Sequence, residues 1–130
     1  MMSEINDRTL VAELTALYME YEQALCSNDI ETMDRLFWDS PEVIRLGATE
    51  NLYGIAEIRA FRQGRPVVNL EREILKLKVV TFGQDTASVV LEFKRVINDI
   101  PRYGRQSQTW RKFPEGWKIV FAHVSFLPLS

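Results

Sequence analysis

Leu10, Leu14, Leu17, Tyr18, Tyr21 and Leu25 recur at helical spacing, which predicts a helix over residues 8–27 with one apolar side in need of a packing partner. Asn6 or Asp7 supplies its N-cap. Asn28 and Asp29 end this helix and cap a second, residues 30–37, which turns Met33, Leu36 and Phe37 inward. Pro41 closes that segment. Residues 42–46 then read as a short strand, 52–54 as its return, and 55–63 as a third helix stopped by Gly64 and Pro66. From Leu70 onward the helical period gives way to alternation. Residues 74–82, 86–97, 103–112 and 117–127 are rich in β-branched and aromatic side chains, and each junction carries a turn sequence: Gly83-Gln84-Asp85, Asn98-Asp99-Ile100-Pro101 and Pro114-Glu115-Gly116. Three helices followed by long antiparallel strands make an α+β fold, its sheet curled around the first helix.

Composition narrows the class. A chain of 130 residues with 46% hydrophobic and 11% aromatic content buries a real core, so one domain, residues 1–130, is expected and disorder is excluded. The longest mostly apolar stretch, 119–129, is interrupted by His123, Ser125 and Pro128, too short for a membrane span. The first eight residues are polar and acidic, with no apolar run of an export signal. Cys26 stands alone, which excludes an internal disulfide and points to a reducing compartment, the cytoplasm. The net charge of −2 hides an asymmetry. Residues 1–71 hold 6 basic and 13 acidic side chains, and residues 72–130 hold 10 and 5. The basic residues of the second half are scattered over strands and form no run, so the expectation is an anionic small ligand or a solvated face, and not nucleic acid.

Metal and cofactor chemistry have no sequence support. Cys26 and His123 are isolated, no calcium loop is present, and neither Gly-x-Ser-x-Gly nor Gly-x-Gly-x-x-Gly occurs. The candidates are polar residues standing where the pattern demands core. By alternation His123 shares a face with Trp117, Ile119, Phe121 and Ser125, and it reads equally as a core histidine bonded to a carbonyl or as a ligand contact. Arg45 lies among Val43, Ile44 and Leu46. It is either an arginine paired with a carboxylate such as Glu42 or a planar fork for a substrate carboxylate. Tyr21 is a core aromatic or, beside such a cation, a proton donor or acceptor. The segment Tyr103-Gly104-Arg105-Gln106-Ser107-Gln108-Thr109-Trp110 has almost no aliphatic residue, so one of its faces lines a polar cavity or an interface. Gln106, Gln108 and Trp110 share one face and Arg105, Ser107 and Thr109 the other, and alternation leaves open which is inside. No cavity carboxylate is identifiable. Val90, Val96, Val120 and Val124 alternate with polar neighbours and suit a mixed interface on the open face of the sheet.

Gly116 to Ser125, reading Gly-Trp-Lys-Ile-Val-x-x-His-Val-Ser, together with the three helices, resembles the cone-shaped fold of nuclear transport factor 2-like, or SnoaL-like, proteins. Within that superfamily the segments SPEVIRLGATENLYG (40–54), FRQGRP (61–66) and RQSQTW (105–110) resemble the AtzH-like, or oxalurate-catabolism, proteins. The resemblance implies a homodimer with a cavity between helices and sheet. It further implies a cofactor-free amidohydrolase acting on a carboxylated urea, 1,3-dicarboxyurea or an oxalurate-like ureide, in bacterial cyanuric acid and nitrogen-compound catabolism. Tyr21 and Arg45 fall at the positions expected to carry that activity, with Arg105, Ser107, Gln108 and His123 orienting the substrate. The alternative is a non-catalytic dimeric accessory protein that binds small dicarboxylates or supports a partner amidase. A more distant resemblance is to the association domain of calcium/calmodulin-dependent kinase, whose similar cavity serves assembly. Fold membership alone does not decide among these roles.

Overall fold

The computed structural model describes residues 4–66 and 70–129; residues 1–3, 67–69 and 130 of the expected single domain lie outside the described residues. Helix α1 (Arg8–Cys26) is capped by Asp7, whose carboxylate accepts from the backbone N–H of Thr9 and Leu10. Asn6 does not cap. It sits at φ 62 and ties the chain to Thr81 through Asn6 N–H to Thr81 O and Thr81 N–H to Asn6 Oδ1, both 3.0 Å. Asn28, at φ 56, ends α1, and Asp29 caps α2 (Ile30–Leu36). The strands β1 (Ile44–Leu46) and β2 (Asn51–Tyr53) form a small hairpin before α3 (Ile55–Gly64). β3 (Glu73–Phe82), β4 (Thr86–Ile97), β5 (Ile100–Phe113) and β6 (Gly116–Phe126) are the long antiparallel strands that the sequence predicts.

All six strands join one sheet in the order β2-β1-β6-β5-β4-β3. The short pair extends the long meander, because β1 runs parallel to β6 with Arg45 opposite Ala122 and Leu46 opposite His123. On its inner face the sheet buries Val89, Leu91 and Phe93 of β4, Trp110 of β5 and Ile119 of β6 against Leu14, Tyr18 and Tyr21 of α1. Fully burying side chains of this size contributes about 1.5–3 kcal/mol each, so this layer dominates the fold's stability.

Two strand details differ from the sequence reading. The β4–β5 connection is a two-residue turn, Asn98-Asp99, with φ of 51° and 65° and Ile97 opposite Ile100. Both positions are left-handed, as the tight hairpin turn compatible with sheet twist requires, so β5 starts at Ile100 and Pro101 is inside it. In β6 the register slips: Thr109 is opposite Phe121 but Trp110 is opposite Ile119, leaving Val120 as an extra residue. A bulge exchanges the two faces of a strand. Trp117 and Ile119 therefore point to the core on one side of Val120. On the other side Ala122, Val124 and Phe126 point in, and Phe121, His123 and Ser125 point out. Of the valines assigned to the open face, Val90 and Val96 are exposed there, Val120 sits half-buried at the bulge, and Val124 lines the interior instead.

Candidate functional site

A cavity of about 330 Å³ lies between α1, the β1–β2 loop, the end of α3 and the sheet. Arg45, Arg65, Arg72 and Arg95 line it, and Glu50 is its carboxylate among the described lining residues. Phe61, Phe93 and Phe126 supply apolar wall. A volume at the low end for ligand pockets, with this cationic lining, suits a small anion.

Arg45 reaches the cavity because β1 pairs with β6 on one side and with β2 on the other, which turns its side chain inward at 8% exposure. Its Nη1 donates to Glu50 Oε2 at 2.8 Å, and its guanidinium lies 5.7 Å from the Phe61 ring centre. The partner is thus Glu50, not Glu42. Glu50 also accepts from the Thr49 hydroxyl at 2.6 Å. Burial pushes the Glu50 carboxyl up, but the bonds from Thr49 and Arg45 outweigh it and hold the group below its ordinary range. Gly47 makes the seat for this carboxylate: a Cβ at Gly47 would stand 1.7 Å from Glu50 Oε2.

Arg72 and Gln106 of the cavity wall belong to a buried polar network. Glu22 on α1 receives Arg72 Nε at 2.9 Å, Arg72 Nη2 at 2.8 Å and the Tyr18 hydroxyl at 2.8 Å. Arg72 Nη2 also donates to Gln106 Oε1 at 3.1 Å, and Gln106 Nε2 donates to the Tyr18 oxygen at 2.9 Å. Burial raises the Glu22 carboxyl, yet the Arg72 hydrogen bonds and charge overcome this and leave it lowered; burial drives the Tyr18 phenol upward. The Arg72 guanidinium rests 4.3 Å from the Phe93 ring centre. Phe93 in turn lies flat over Gly104, where a Cβ would be 2.2 Å from Cζ.

Behind the wall stands a second group. Tyr21 is 2% exposed and does not itself line the cavity, but its phenol interacts electrostatically with Arg62, Arg65 and Arg72. Its ring packs 6.0 Å from Tyr18 and from Phe37. Arg62 is 3% exposed with its guanidinium 4.4 Å from the Phe37 ring centre. Burial, and then repulsion from Arg45 and Arg65, hold its guanidinium below the ordinary arginine range, against the favourable field of Tyr21.

Tyr21 and Arg45 thus lie close enough to share Arg62 and Arg65 as electrostatic neighbours. Arg105, Ser107 and His123 lie on the opposite face of the sheet: Arg105 Nη2 donates to Ser125 Oγ at 3.1 Å, Ser107 is opposite His123, and His123 is exposed. The bulge at Val120 is the reason His123 leaves the apolar face. Gln108 points inward but is packed in the core, where its Oε1 accepts from Trp110 Nε1 at 2.9 Å. Its neighbour Gln106 lines the cavity in its place. Sequence reasoning also missed Glu50, Glu22, Arg62, Arg65, Arg72 and Arg95. Two had a signal. Glu22 follows Tyr18 at i+4 on the buried side of α1, and Arg62 completes the Ile55–Ile58–Arg62 buried stripe of α3. Among the described residues no cluster of three or more His, Cys, Asp or Glu is placed to hold a metal ion, and no helix is long and apolar enough to cross a membrane.

Comparison with known proteins agrees with this architecture. A protein of unknown function from Pectobacterium atrosepticum, of the DUF3225 family, is 46% identical, with 96% of each chain covered and a TM-score of 0.91. A cystatin-like fold protein from Burkholderia xenovorans is 43% identical, with 98% of each chain covered and a TM-score of 0.89. At 19% identity, the association domain of CaMKII from C. elegans shares the fold alone, with a TM-score of 0.72 over 92% of this chain and 98% of that one. Structures described as nuclear transport factor 2-like share it too. No functionally curated protein gives a significant match. The AtzH-like family model matches residues 3–129, and the chain belongs to the AtzH-like family of the nuclear transport factor 2-like fold.

Proposed function

We propose that the protein is a small cofactor-free amidohydrolase for a carboxylated urea, such as 1,3-dicarboxyurea or an oxalurate-like ureide, in bacterial nitrogen-compound catabolism. The observation that carries this reading is the guanidinium lining of a cavity too small for a large ligand: four arginines against Glu50 in about 330 Å³. A planar acid with two charged ends matches that lining, and a neutral amide of equal size does not. Arg45 takes a ligand carboxylate by exchanging it for Glu50, its present partner at 2.8 Å. Water adds to the urea carbonyl, the C–N bond breaks, and the departing nitrogen gains a proton. Tyr21 relays that proton from behind the cavity wall, with Arg62, Arg65 and Arg72 as its charged neighbours. Dimerisation through the open sheet face, where Val90 and Val96 are 42% and 60% exposed, and a functional link to an amidase complete the proposal.

The decisive experiment is a steady-state assay of purified protein with dicarboxylated urea and no other pathway enzyme. Tyr21→Phe removes one hydroxyl from a fully packed aromatic site, so it keeps the fold and loses about 10²–10⁴-fold in turnover. Arg45→Lys also fails, because an ammonium does not reproduce the planar fork. A folded Tyr21→Phe protein with near wild-type turnover refutes the assignment. Tight binding by the wild type without any turnover leaves the accessory, carboxylate-binding role in its place.

A further inference from the structure

Arg62 and Arg65 are one turn apart at the end of α3, and both carry guanidinium nitrogens without acceptors. Nη1 and Nη2 of Arg62 and Nε of Arg65 are buried with no hydrogen-bond partner. The contrast with Arg72 is direct: at similar burial, that guanidinium bonds Glu22, Tyr18 and Gln106. Around Arg62 the nearest charges are wrong or occupied. Arg45 and Arg65 repel it, and Asp34 is already held by Arg59 through bonds of 2.7 and 3.2 Å. The Phe37 ring face stabilises the cation but accepts no N–H bond in the guanidinium plane. A buried guanidinium whose Nη1 and Nη2 have no acceptor, and whose attracting carboxylate Asp34 is already held by another arginine, is a costly arrangement in a protein interior, and water would satisfy the N–H groups without supplying the charge.

We propose that Arg62 and Arg65 form an inner carboxylate fork, which binds one end of a short dicarboxylate beside the Tyr21 phenol while Arg45 binds the other. Arg65 lines the cavity and Arg62 stands behind it, so the ligand meets Arg65 first and fills Arg62's empty bonds on seating. The inference rests on the anion-binding reading above and names the element that selects two-ended acids. A single carboxylate satisfies one site only, so discrimination between one and two charged ends resides in this pair.

Calorimetry and thermal unfolding with malonate, acetate and malonamide, in low-chloride buffer, test it on the wild type, Arg62→Met and Arg62→Lys. In the wild type, malonate binds more tightly than acetate and raises the unfolding temperature, and malonamide does neither. Arg62→Met raises the unfolding temperature of the ligand-free protein, because an unpaired buried charge is gone, and weakens malonate about ten- to a hundredfold with little effect on acetate. A merely structural arginine gives the opposite pattern: a lower unfolding temperature and unchanged malonate affinity, which overturns the fork. Should Arg62→Met not fold, Arg62→Lys decides, since it keeps the charge and loses the planar geometry; undiminished malonate affinity there is equally fatal. A shift produced by chloride as fully as by malonate overturns the carboxylate assignment. Failure of wild-type protein to bind malonate at all removes the anion-cavity reading itself, whereas equal binding by wild type and Arg62→Met removes the fork alone.

Discussion

Replacing Arg72 by Met should cost most at neutral pH and least in acid. The Arg72 side chain is 5% exposed and that of Glu22 7%, so the substitution strands a carboxylate away from water. Breaking a buried pair in this way costs about 3–5 kcal/mol, which for a chain of this size lowers the unfolding temperature by roughly 10–20 °C. The pH dependence identifies the cause. In the wild type the folded Glu22 carboxyl titrates below its ordinary value, so its contribution is present above about pH 4.3 and is lost as pH falls through the lower folded value. Without Arg72, burial becomes the dominant influence and the folded carboxyl titrates above its ordinary value. Stability of the variant then falls as pH rises from about 4 towards 7, opposite in sign to the wild type's response. Urea denaturation of both proteins across that range measures the two slopes, and adding Glu22→Gln to the variant should flatten its profile. Equal penalties at pH 4 and pH 7 would refute the argument that the network is held by the Glu22–Arg72 charge pair.

Gly104→Ala should destabilise by about 1–3 kcal/mol, because its Cβ meets Phe93 ring atoms at 2.2 and 2.7 Å and the ring is trapped beneath Arg72; a denaturation midpoint equal to wild type would contradict this. Asp7→Ala removes the α1 cap and should cost about 1 kcal/mol, readable in the same urea titration, while Asp7→Asn should recover most of the loss.

Helix and strand order were readable because this chain's local patterns agree with its tertiary structure: the apolar stripe from Leu10 to Leu25 and the β-branched runs after Leu70 each require the element they form. What escaped was decided by register. Nothing in Val120-Phe121-Ala122-His123 announces an extra residue, since bulges arise from how two strands meet and not from either strand's composition. That single residue moved His123 out of the interior and Val124 into it. The burial of Tyr21 and Arg45 was readable because Tyr21 falls on the apolar stripe of α1 and Arg45 stands among apolar neighbours in β1. Glu50 was not, because it lies in the β1–β2 loop, where a carboxylate is unremarkable until the strand pairing folds it back over Gly47 onto Arg45. Arg72 was equally silent: its importance comes from a helix 50 residues earlier in the chain.

On the proposed anion-binding reading, the Arg45–Glu50 pair makes capture an exchange and not an addition. An arriving carboxylate that takes Arg45 evicts one already present, so the observed affinity is a difference between two similar bonds. The resident competitor is tethered five residues along the chain and never dilutes away, which sets a floor that weakly held anions do not cross. Acid disarms it. As pH falls through the lowered Glu50 value, the competitor becomes neutral and Arg45 is released to any acid strong enough to stay ionised there. The threshold that any anion meets at Arg45 is then set before a ligand arrives, in how the protein satisfies its own charge.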